Sequence, residues 1–401
     1  MHPPTRRGAT LLFWMLPVLA EVLPTGRASA ETSYFPIPTV STTRNDGNDA
    51  GLIVPILMTE PTGDLKYIMA PMFVVNSIVG ARGSFNLFRY EPGGREFRFI
   101  GSYTERIERK LVFSYIDPAF SNGQYVLNFG GSFFKNATVR FFGISQDTPA
   151  SDETNYTARE VRAYWKFGMY LNEVTQIAVG ERFREVRVQP GGTSLPYSLE
   201  RFPNVDGMQG ASILGHRVTF HYDTRDNLVS PTAGSQVTAY AELNQNLRNG
   251  DNPVYSRYEL EFRRIFPSES KRAILIIRGD LQTTFGTEVP FYERSSLGGQ
   301  NNLRGYGVDR FIDKHLIAIN VENRLHVMRA KILNVAAEFE MAPFVDMGKV
   351  FSSFSKKPFT DYAVTPGIGF RGIVRPNVVG RVDYGYSNEG GAVFAGLDYP
   401  F

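Results

Sequence analysis

The chain has 401 residues, of which 43 are basic and 40 acidic, and it contains no cysteine. A formal net charge of +3 gives no broad electrostatic case for nucleic-acid binding, so we predict no nucleic-acid partner. The absence of cysteine excludes disulfide bonds and cysteine-ligated zinc sites.

The first 30 residues have the order of a secretory signal peptide. Arg6 and Arg7 precede an apolar run over residues 11–20, and the small residues Ala28-Ser29-Ala30 follow it. A membrane anchor would need roughly 20 apolar residues, and this run is too short. We therefore expect export of the chain and cleavage after Ala30.

Beyond the signal peptide the hydrophobic pattern has a period of two, except in residues 31–50, which show no period. Between Glu160 and Met169, for example, apolar residues alternate with charged or polar ones. A soluble β-sandwich would show the same alternation. The runs are roughly 10 to 15 residues long, however, which is longer than usual soluble strands and suits strands that cross a bilayer. Together with the export signal, this length favours a β-barrel in the bacterial outer membrane, in contact with its lipid.

Turn sequences rich in glycine and asparagine, such as 91–94 and 387–391, separate these runs and indicate a continuous meander. Sixteen runs begin near residues 79, 95, 109, 124, 137, 158, 174, 213, 234, 253, 271, 314, 332, 361, 377 and 391. Residues 51–76, which contain Pro55 and Pro71, could add a hairpin, so the strand number is sixteen or eighteen. The predicted fold is all-β, a transmembrane antiparallel β-barrel over residues 51–401, preceded by a short periplasmic lead over residues 31–50.

The C-terminus has the glycine-plus-aromatics ending of exported barrels. Gly396, Tyr399 and Phe401 carry this pattern, and Tyr399 and Phe401 are expected to share one face with Val393 and Ala395. We interpret the three residues as a C-terminal assembly signal. The barrel assembly machinery that inserts exported barrels is then a partner.

The longest glycine-bearing loop runs from Gly298 to Tyr306 and contains Arg304. Arg304 is either a solvated loop tip or a guanidinium taken into the barrel, where it would need a buried carboxylate to offset its desolvation. Asp346 and Glu322 are the candidate carboxylates.

Several ordered motifs resemble the BamA/TamA-type surface-antigen superfamily of outer-membrane barrels. They are Gly298-Gly299 with Leu303-Arg304-Gly305-Tyr306, Asn320-x-Glu322, Phe344-x-Asp346-x-Gly348, Asp223-Thr224-Arg225-Asp226 with 231–235, and 365–371. The resemblance implies a sixteen-stranded barrel whose long loop folds into the lumen. There Gly298, Gly299, Leu303, Arg304, Gly305 and Tyr306 would form a latch, with Asp346 and Glu322 as its partners. It also implies insertion or translocation of polypeptides, or of lipids, with unfolded polypeptides as clients and a weak seam between the first and last strands.

The chain departs from the family in its N-terminal part. Family members usually carry periplasmic substrate-capturing domains before the barrel, and some relatives carry a lipase domain, whereas only residues 31–50 occupy that position here. An alternative function is therefore a barrel subunit that depends on a separate periplasmic partner.

Two rival functions remain. A passive or gated pore is consistent with inward charges such as Arg162, Glu259 and Arg263. A hydrolase would need a nucleophile within reach of a base, but the spacing of His216 and His221 puts them on opposite sides of one strand. We therefore predict no enzyme activity, no catalytic residue, no metal site and no cofactor.

Overall fold

The computed structural model describes most of the chain after residue 31. It covers residues 32–401 except 35, 44, 46, 62–64, 229, 249–252, 333–334, 355–358, 375–377 and 398. The predicted signal peptide over residues 1–30 lies outside the described residues, and its cleavage stays a prediction.

Most of the described chain is β-strand. The strands are β1 Thr32–Tyr34, β2 Ile37–Thr43, β3 Gly47–Ile53, β4 Ile56–Thr59, β5 Leu65–Asn76, β6 Gly80–Glu91, β7 Arg95–Thr104, β8 Arg109–Ala119, β9 Tyr125–Phe141, β10 Thr154–Asn172, β11 Thr175–Pro190, β12 Ala211–Asp223, β13 Gly234–Asn246, β14 Val254–Pro267, β15 Ala273–Phe285, β16 Ser295–Leu297, β17 Phe311–Asp313, β18 His315–Ile332, β19 Val335–Phe351, β20 Ala363–Val374, β21 Val378–Ser387 and β22 Gly390–Leu397. Short helical segments occur as well: α1 Phe120–Gly123, α2 Ser198–Arg201, and the 3-10 turns Ala150–Asp152 and Phe291–Glu293.

The long strands form one antiparallel meander. Each strand from β5 to β15 pairs with the next, β15 pairs with β18, and the ladder continues to β22. These are sixteen long strands. Each pairs with its neighbour in sequence, because antiparallel strands can be joined by short hairpin connections. The predicted all-β fold and meander are confirmed.

One predicted boundary inside the meander is wrong. The runs expected near residues 124 and 137 are a single strand, β9. The register to β10 shifts between Tyr156 and Ala158, opposite a local bulge in β9. There the Asn136 side chain accepts a hydrogen bond from the Thr138 backbone N–H at 2.9 Å. A bulge interrupts the two-residue period without ending the strand, which is why the sequence pattern suggested two strands.

The N-terminal part forms further strands on β5. β3 and β4 pair with successive parts of β5, while β2 pairs with β3 and β1 with β4. Pro55 separates β3 from β4, because proline lacks the N–H that the ladder needs. No strand was predicted in residues 31–50, which show no hydrophobic period, but the structure has β2 within the range and β3 across the boundary predicted at residue 50. Whether residues 31–50 form a separate periplasmic lead stays a prediction.

The two faces of the sheet have inverted polarity compared with a soluble protein. On β10 the outward residues Trp165, Phe167 and Met169 are 36–46% exposed, whereas Glu160 on the opposite face is buried. The same division runs along the sheet, so aromatic and aliphatic side chains cover the outer face and charged side chains are buried on the inner face. Strands that cross a bilayer show this arrangement, because lipid contacts the apolar side. Of the residues described, no helix has the length and hydropathy to cross a membrane.

The ends of the sheet approach each other. Cα atoms of β2 and β22 come within 8 Å, but the described residues form no ladder between these strands. A closed barrel, and its strand number of sixteen or eighteen, stay predictions.

Candidate functional site

A loop between β15 and β18, residues 286–314, packs on the inner face of the sheet; we call it the inner loop. β16 and β17 pair within it, and Gly298 and Gly299 begin the turn between them. Both glycines have positive φ, 121° and 98°, and a Cβ on Gly298 would lie 2.3 Å from the Gly307 carbonyl oxygen. Only glycine fits this turn, which explains the Gly-Gly pair.

The turn is anchored by a small apolar core. Leu303 and Tyr306 are buried in a cluster with residues of β16, β17, β18 and β19. The members are Leu297, Leu303, Tyr306, Phe311, Leu316, Ala318 and Val350. Burial of Leu303 on one side of Arg304 and Tyr306 on the other fixes the backbone that carries the guanidinium.

Arg304 is fully buried and binds three carboxylates. Its Nε and Nη2 donate to both oxygens of Asp346 at 2.8 and 2.9 Å, and its backbone N–H donates to Asp346 Oδ2 at 3.1 Å. Nη1 donates to Glu322 Oε2 at 2.6 Å and lies 3.5 Å from Asp383 Oδ1. The structure therefore brings Arg304 together with both carboxylates named from the sequence. We call these four residues the Arg304 pocket.

The charge on Arg304 is stabilised in this pocket. Burial alone would lower the pKa of its guanidinium, but the hydrogen bonds and ion pairs with Asp346, Glu322 and Asp383 outweigh burial and raise it above its ordinary value. The Phe344 ring adds a cation–π contact, with its centroid 3.4 Å from Arg304 Cζ. Arg304 is thus a fixed cation inside the sheet.

Strand register places the acidic partners. Asn320 pairs with Asp346 across β18 and β19, and Glu322 lies two residues further on the same face. Asn320 donates its side-chain N–H to Asp346 Oδ1 at 2.9 Å and to the Asn302 carbonyl at 2.8 Å. It therefore orients the carboxylate and holds the loop at once.

Three further arginines contact the acids of the pocket, and their contacts were not predicted from the sequence. Arg371 bridges Glu322 and Asp383 at 3.1 and 2.8 Å, and Arg381 binds Asp383 at 2.8 Å. Arg324 lies 3.3 Å from Glu322. The available signal was charge at two-residue spacing in the last strands, as in Arg381-x-Asp383, which predicts a shared inner face but not a common pocket.

Glycines on β20 and β21 let the loop approach the sheet. A Cβ on Gly385 would lie 2.3 Å from the Arg304 carbonyl oxygen, and one on Gly367 would lie 2.2 Å from the Phe344 ring. Gly305 itself lies against Thr365, where a Cβ would come within 2.4 Å of Cγ2. At Gly305 and Gly385 the loop and the sheet therefore meet with no room for a side chain at either position.

The turn between β21 and β22 holds the far side of the loop. Tyr306 Oη lies 2.6 Å from Asn388 Oδ1, and Ser387 Oγ donates to the Gly305 carbonyl at 2.8 Å. Arg310 binds Glu389 at 2.7 Å. These contacts link the loop to the last hairpin of the chain.

A second charged anchor lies at the start of the inner loop and was not predicted. The carboxylate of Glu293, fully buried, receives Arg182 at 3.1 Å, Arg184 at 2.8 Å and Arg257 at 3.4 Å. Tyr255 Oη donates to it at 3.0 Å. Burial would raise the pKa of Glu293, but these arginines hold it well below its ordinary value. Within the inner loop, Glu293 thus binds three arginines and Arg304 binds three carboxylates.

The C-terminal residues lie inside rather than on the outer face. Tyr399 Oη donates to Glu340 at 3.2 Å, and Phe401 is buried in a cluster with three isoleucines, Ile265, Ile274 and Ile276. The expectation that both share a face with Val393 and Ala395 is wrong. β22 ends at Leu397, and Pro400 has no N–H with which to extend the ladder. Gly396 pairs with Arg381, and the role of Gly396, Tyr399 and Phe401 as an assembly signal stays a prediction.

His216 and His221 lie on opposite faces of β12. His216 lies 2.8 Å from Glu181 on the outer face, while His221 lies 3.0 Å from Thr238 on the inner face, as their spacing predicts. Within the described ranges, no cluster of three or more His, Cys, Asp or Glu residues could hold a metal ion.

Comparison with known proteins places this arrangement in a family. No curated protein sequence matches the chain. BamA from Haemophilus ducreyi, crystallised without POTRA domains 1–3, superposes with a TM-score of 0.57 at 15% identity, over 91% of this chain and 75% of that one. CdiB from Acinetobacter baumannii superposes with a TM-score of 0.49 at 12% identity, over 93% of this chain and 66% of that one.

At such identity the superposition with BamA establishes the fold alone. The family model described as the Omp85 superfamily domain, however, matches residues 93–385, well over half of the chain. That range includes the inner loop and every residue of the Arg304 pocket. The protein belongs to the Omp85 superfamily, the group of BamA/TamA-type barrels that its motifs resemble.

Proposed function

We propose that this protein is a non-enzymatic barrel of the bacterial outer membrane that assists insertion or translocation of polypeptides, or of lipids. In this function the inner loop is a latch, closed while Arg304 is bound in its pocket. The observation that carries the proposal is the buried fork between Arg304 and Asp346.

Membership of the family supports the activity. As the resemblance implies, BamA/TamA-type barrels insert other barrels or pass polypeptides across the outer membrane. The apolar outer face of the sheet supports a location in lipid. The approach of β2 to β22 without a ladder between their described residues supports a seam that could open toward a client strand.

The energetics of the pocket support a latch with two states. Removing one partner of a buried ion pair costs about 3–5 kcal/mol, because the other charge is left without compensation. Opening would expose Arg304, Asp346 and Glu322 to water, which solvates them again. The closed state is therefore stabilised when the lumen excludes water, and it is destabilised when water or a client enters the lumen.

Two alternative functions are kept. The first is a passive or gated pore, favoured by a cavity of about 450 Å³ against the inner face of β9–β14. The second is a barrel subunit that receives its clients from a separate periplasmic partner.

Insertion of a urea-denatured client barrel into liposomes containing this protein tests the proposal. We expect faster insertion than in empty liposomes, and loss of that acceleration in Arg304→Ala. The matched control is Arg329→Ala, since Arg329 is 74% exposed and binds Glu338 outside the Arg304 pocket. Ion conductance of the same vesicles is recorded in parallel. Steady conductance without faster insertion would refute the assembly function and support a pore.

A further inference from the structure

The cavity against β9–β14 is strongly basic. Its lining shares no residue with the Arg304 pocket. The cationic residues that line it are Arg162, Lys166, Arg182, Arg184, Arg217 and Arg257. Two acidic residues line it as well, but the Glu181 side chain binds His216 on the outer face, which leaves Glu242 facing the cations.

The carboxylates in contact with these cations do not balance them. Glu242 binds Arg182 at 2.8 Å and Arg217 at 2.7 Å. Glu293 binds Arg182 and Arg184, and Glu160 binds Arg184 and Arg162. Five of the six lining cations therefore form ion pairs with three carboxylates. Glu259 and Asp309 add electrostatic interactions with Arg217, Arg257 and Arg184, and the six cations still outnumber these five acids.

Three of the lining cations have at most one carboxylate contact each, whereas Arg182, Arg184 and Arg257 each have two. Lys166 forms no ion pair within the part of the chain that the structure describes, and Arg162 has only its contact with Glu160 and is 49% exposed. Arg217 shares Glu242 with other arginines. A ligand that entered the cavity would meet these three side chains without displacing the loop anchor at Glu293.

The contacts of Glu293 and Glu242 indicate which chemical groups the lining cations bind. Each carboxylate is approached by several guanidinium groups at once, and Arg182 donates to both oxygens of each. The guanidinium fork matches carboxylate and phosphate oxygens alike. A wall in which several cations lie close together favours an ion with more than one negative charge, and phosphate groups carry about two at neutral pH.

We propose that this cavity binds a phosphate-class anion, a phosphate monoester or pyrophosphate group, through Lys166, Arg162 and Arg217. The group could belong to a free solute or to a lipid headgroup. The site shares no residue with the Arg304 pocket, and the proposal stands whether or not the protein inserts polypeptides.

Titration calorimetry of the purified full chain in detergent tests the site, with sodium pyrophosphate as the probe. Saturable binding is expected, well above the heat of sodium chloride at the same ionic strength. Lys166→Gln and Arg162→Gln should each weaken pyrophosphate binding about tenfold, because each removes one charged hydrogen-bond donor. Arg329→Gln, a matched change on an exposed arginine away from the cavity, should leave the affinity unchanged.

The replaced proteins should remain folded, so weaker binding can be assigned to the site. Lys166 has no partner to lose among the described residues, and Glu160 keeps Arg184 when Arg162 is replaced. Lys166→Glu, which reverses a charge, should abolish binding within the measurable range while heat-modifiable gel mobility stays that of the folded protein. Absence of saturable binding, or equal affinity in all folded variants, overturns the proposal.

Lipid nanodiscs distinguish the two sources. If a headgroup enters the cavity, nanodiscs with phosphatidic acid should weaken pyrophosphate binding relative to phosphatidylcholine alone, and Lys166→Gln should remove that difference. Equal affinity in both nanodiscs would assign the site to a free phosphate solute.

Discussion

Replacing Arg304 or Asp346 by alanine tests how the inner loop is held. Arg304→Ala leaves Asp346 buried without a cation, with only the Asn320 side chain and the backbone N–H of residue 304 as donors, while Glu322 keeps Arg371 and Arg324. We expect this change to lower the free energy of loop opening by about 3–5 kcal/mol, as for an orphaned buried charge. Asp346→Ala should cost less, about 1.5–3 kcal/mol, because Arg304 keeps Glu322 and Asp383.

The double variant separates direct contact from independent effects. Once Arg304 is absent, removing Asp346 relieves an unpaired charge, so the double variant should be little worse than Arg304→Ala. That predicts a coupling energy of about 1–3 kcal/mol. Native-state hydrogen exchange at the backbone amides of residues 303–306 measures loop opening directly, without unfolding the whole sheet.

A control cycle calibrates the measurement. Arg201 and Asp152 form a pair 3.1 Å long whose side chains are 59% and 29% exposed. Their coupling should not exceed about 1 kcal/mol. Additive effects at Arg304 and Asp346 would contradict the reasoning, since they would mean that the buried fork does not hold the loop.

Three further changes probe other parts of the loop. Gly385→Ala should speed exchange at Arg304 at least tenfold, because its Cβ would meet the Arg304 carbonyl, whereas Gly83→Ala has open space and should have no effect. Glu293→Gln should speed exchange around residues 291–293 about tenfold by weakening its arginine contacts, and unchanged exchange there would exclude this anchor. The depressed pKa of Glu293 means that its ion pairs stabilise the loop above about pH 4.5, the ordinary value, and lose this effect as pH falls toward the folded-state pKa. Exchange at residues 291–293, corrected for its intrinsic pH dependence, should therefore accelerate below pH 4.5 in wild type and much less in Glu293→Gln.

The sequence predicted the strands well because their period is local. Alternation between Glu160 and Met169 is sufficient to assign β10 and its outer face. The prediction from the sequence was wrong where the two-residue period is interrupted or missing. These places are the bulge in β9 and the paired strands before residue 54. Neither feature has a hydrophobic period that a short window could detect.

The site was only partly predictable. Arg304, Asp346 and Glu322 stood out because an arginine in a glycine-rich loop requires a buried acid and because the motifs resemble a known family. Arg371 and Asp383 lie in ordinary strand sequence, and their contacts depend on the register across several strands. Glu293 follows two aromatic residues in an irregular segment, and nothing local indicates that three distant arginines converge on it.

The Arg304 pocket also sets an order of assembly. Its acids come from β18, β19 and β21, and Gly385 must be in place before the loop backbone can lie against the sheet. All of these residues follow Arg304 in the chain, so the loop can dock only after β18 to β21 have paired. Non-local contacts of this kind form late, because loop-closure entropy must be offset first. Protection of the Arg304 amide from exchange is therefore a marker of completed folding, and its appearance should lag behind strand pairing during refolding.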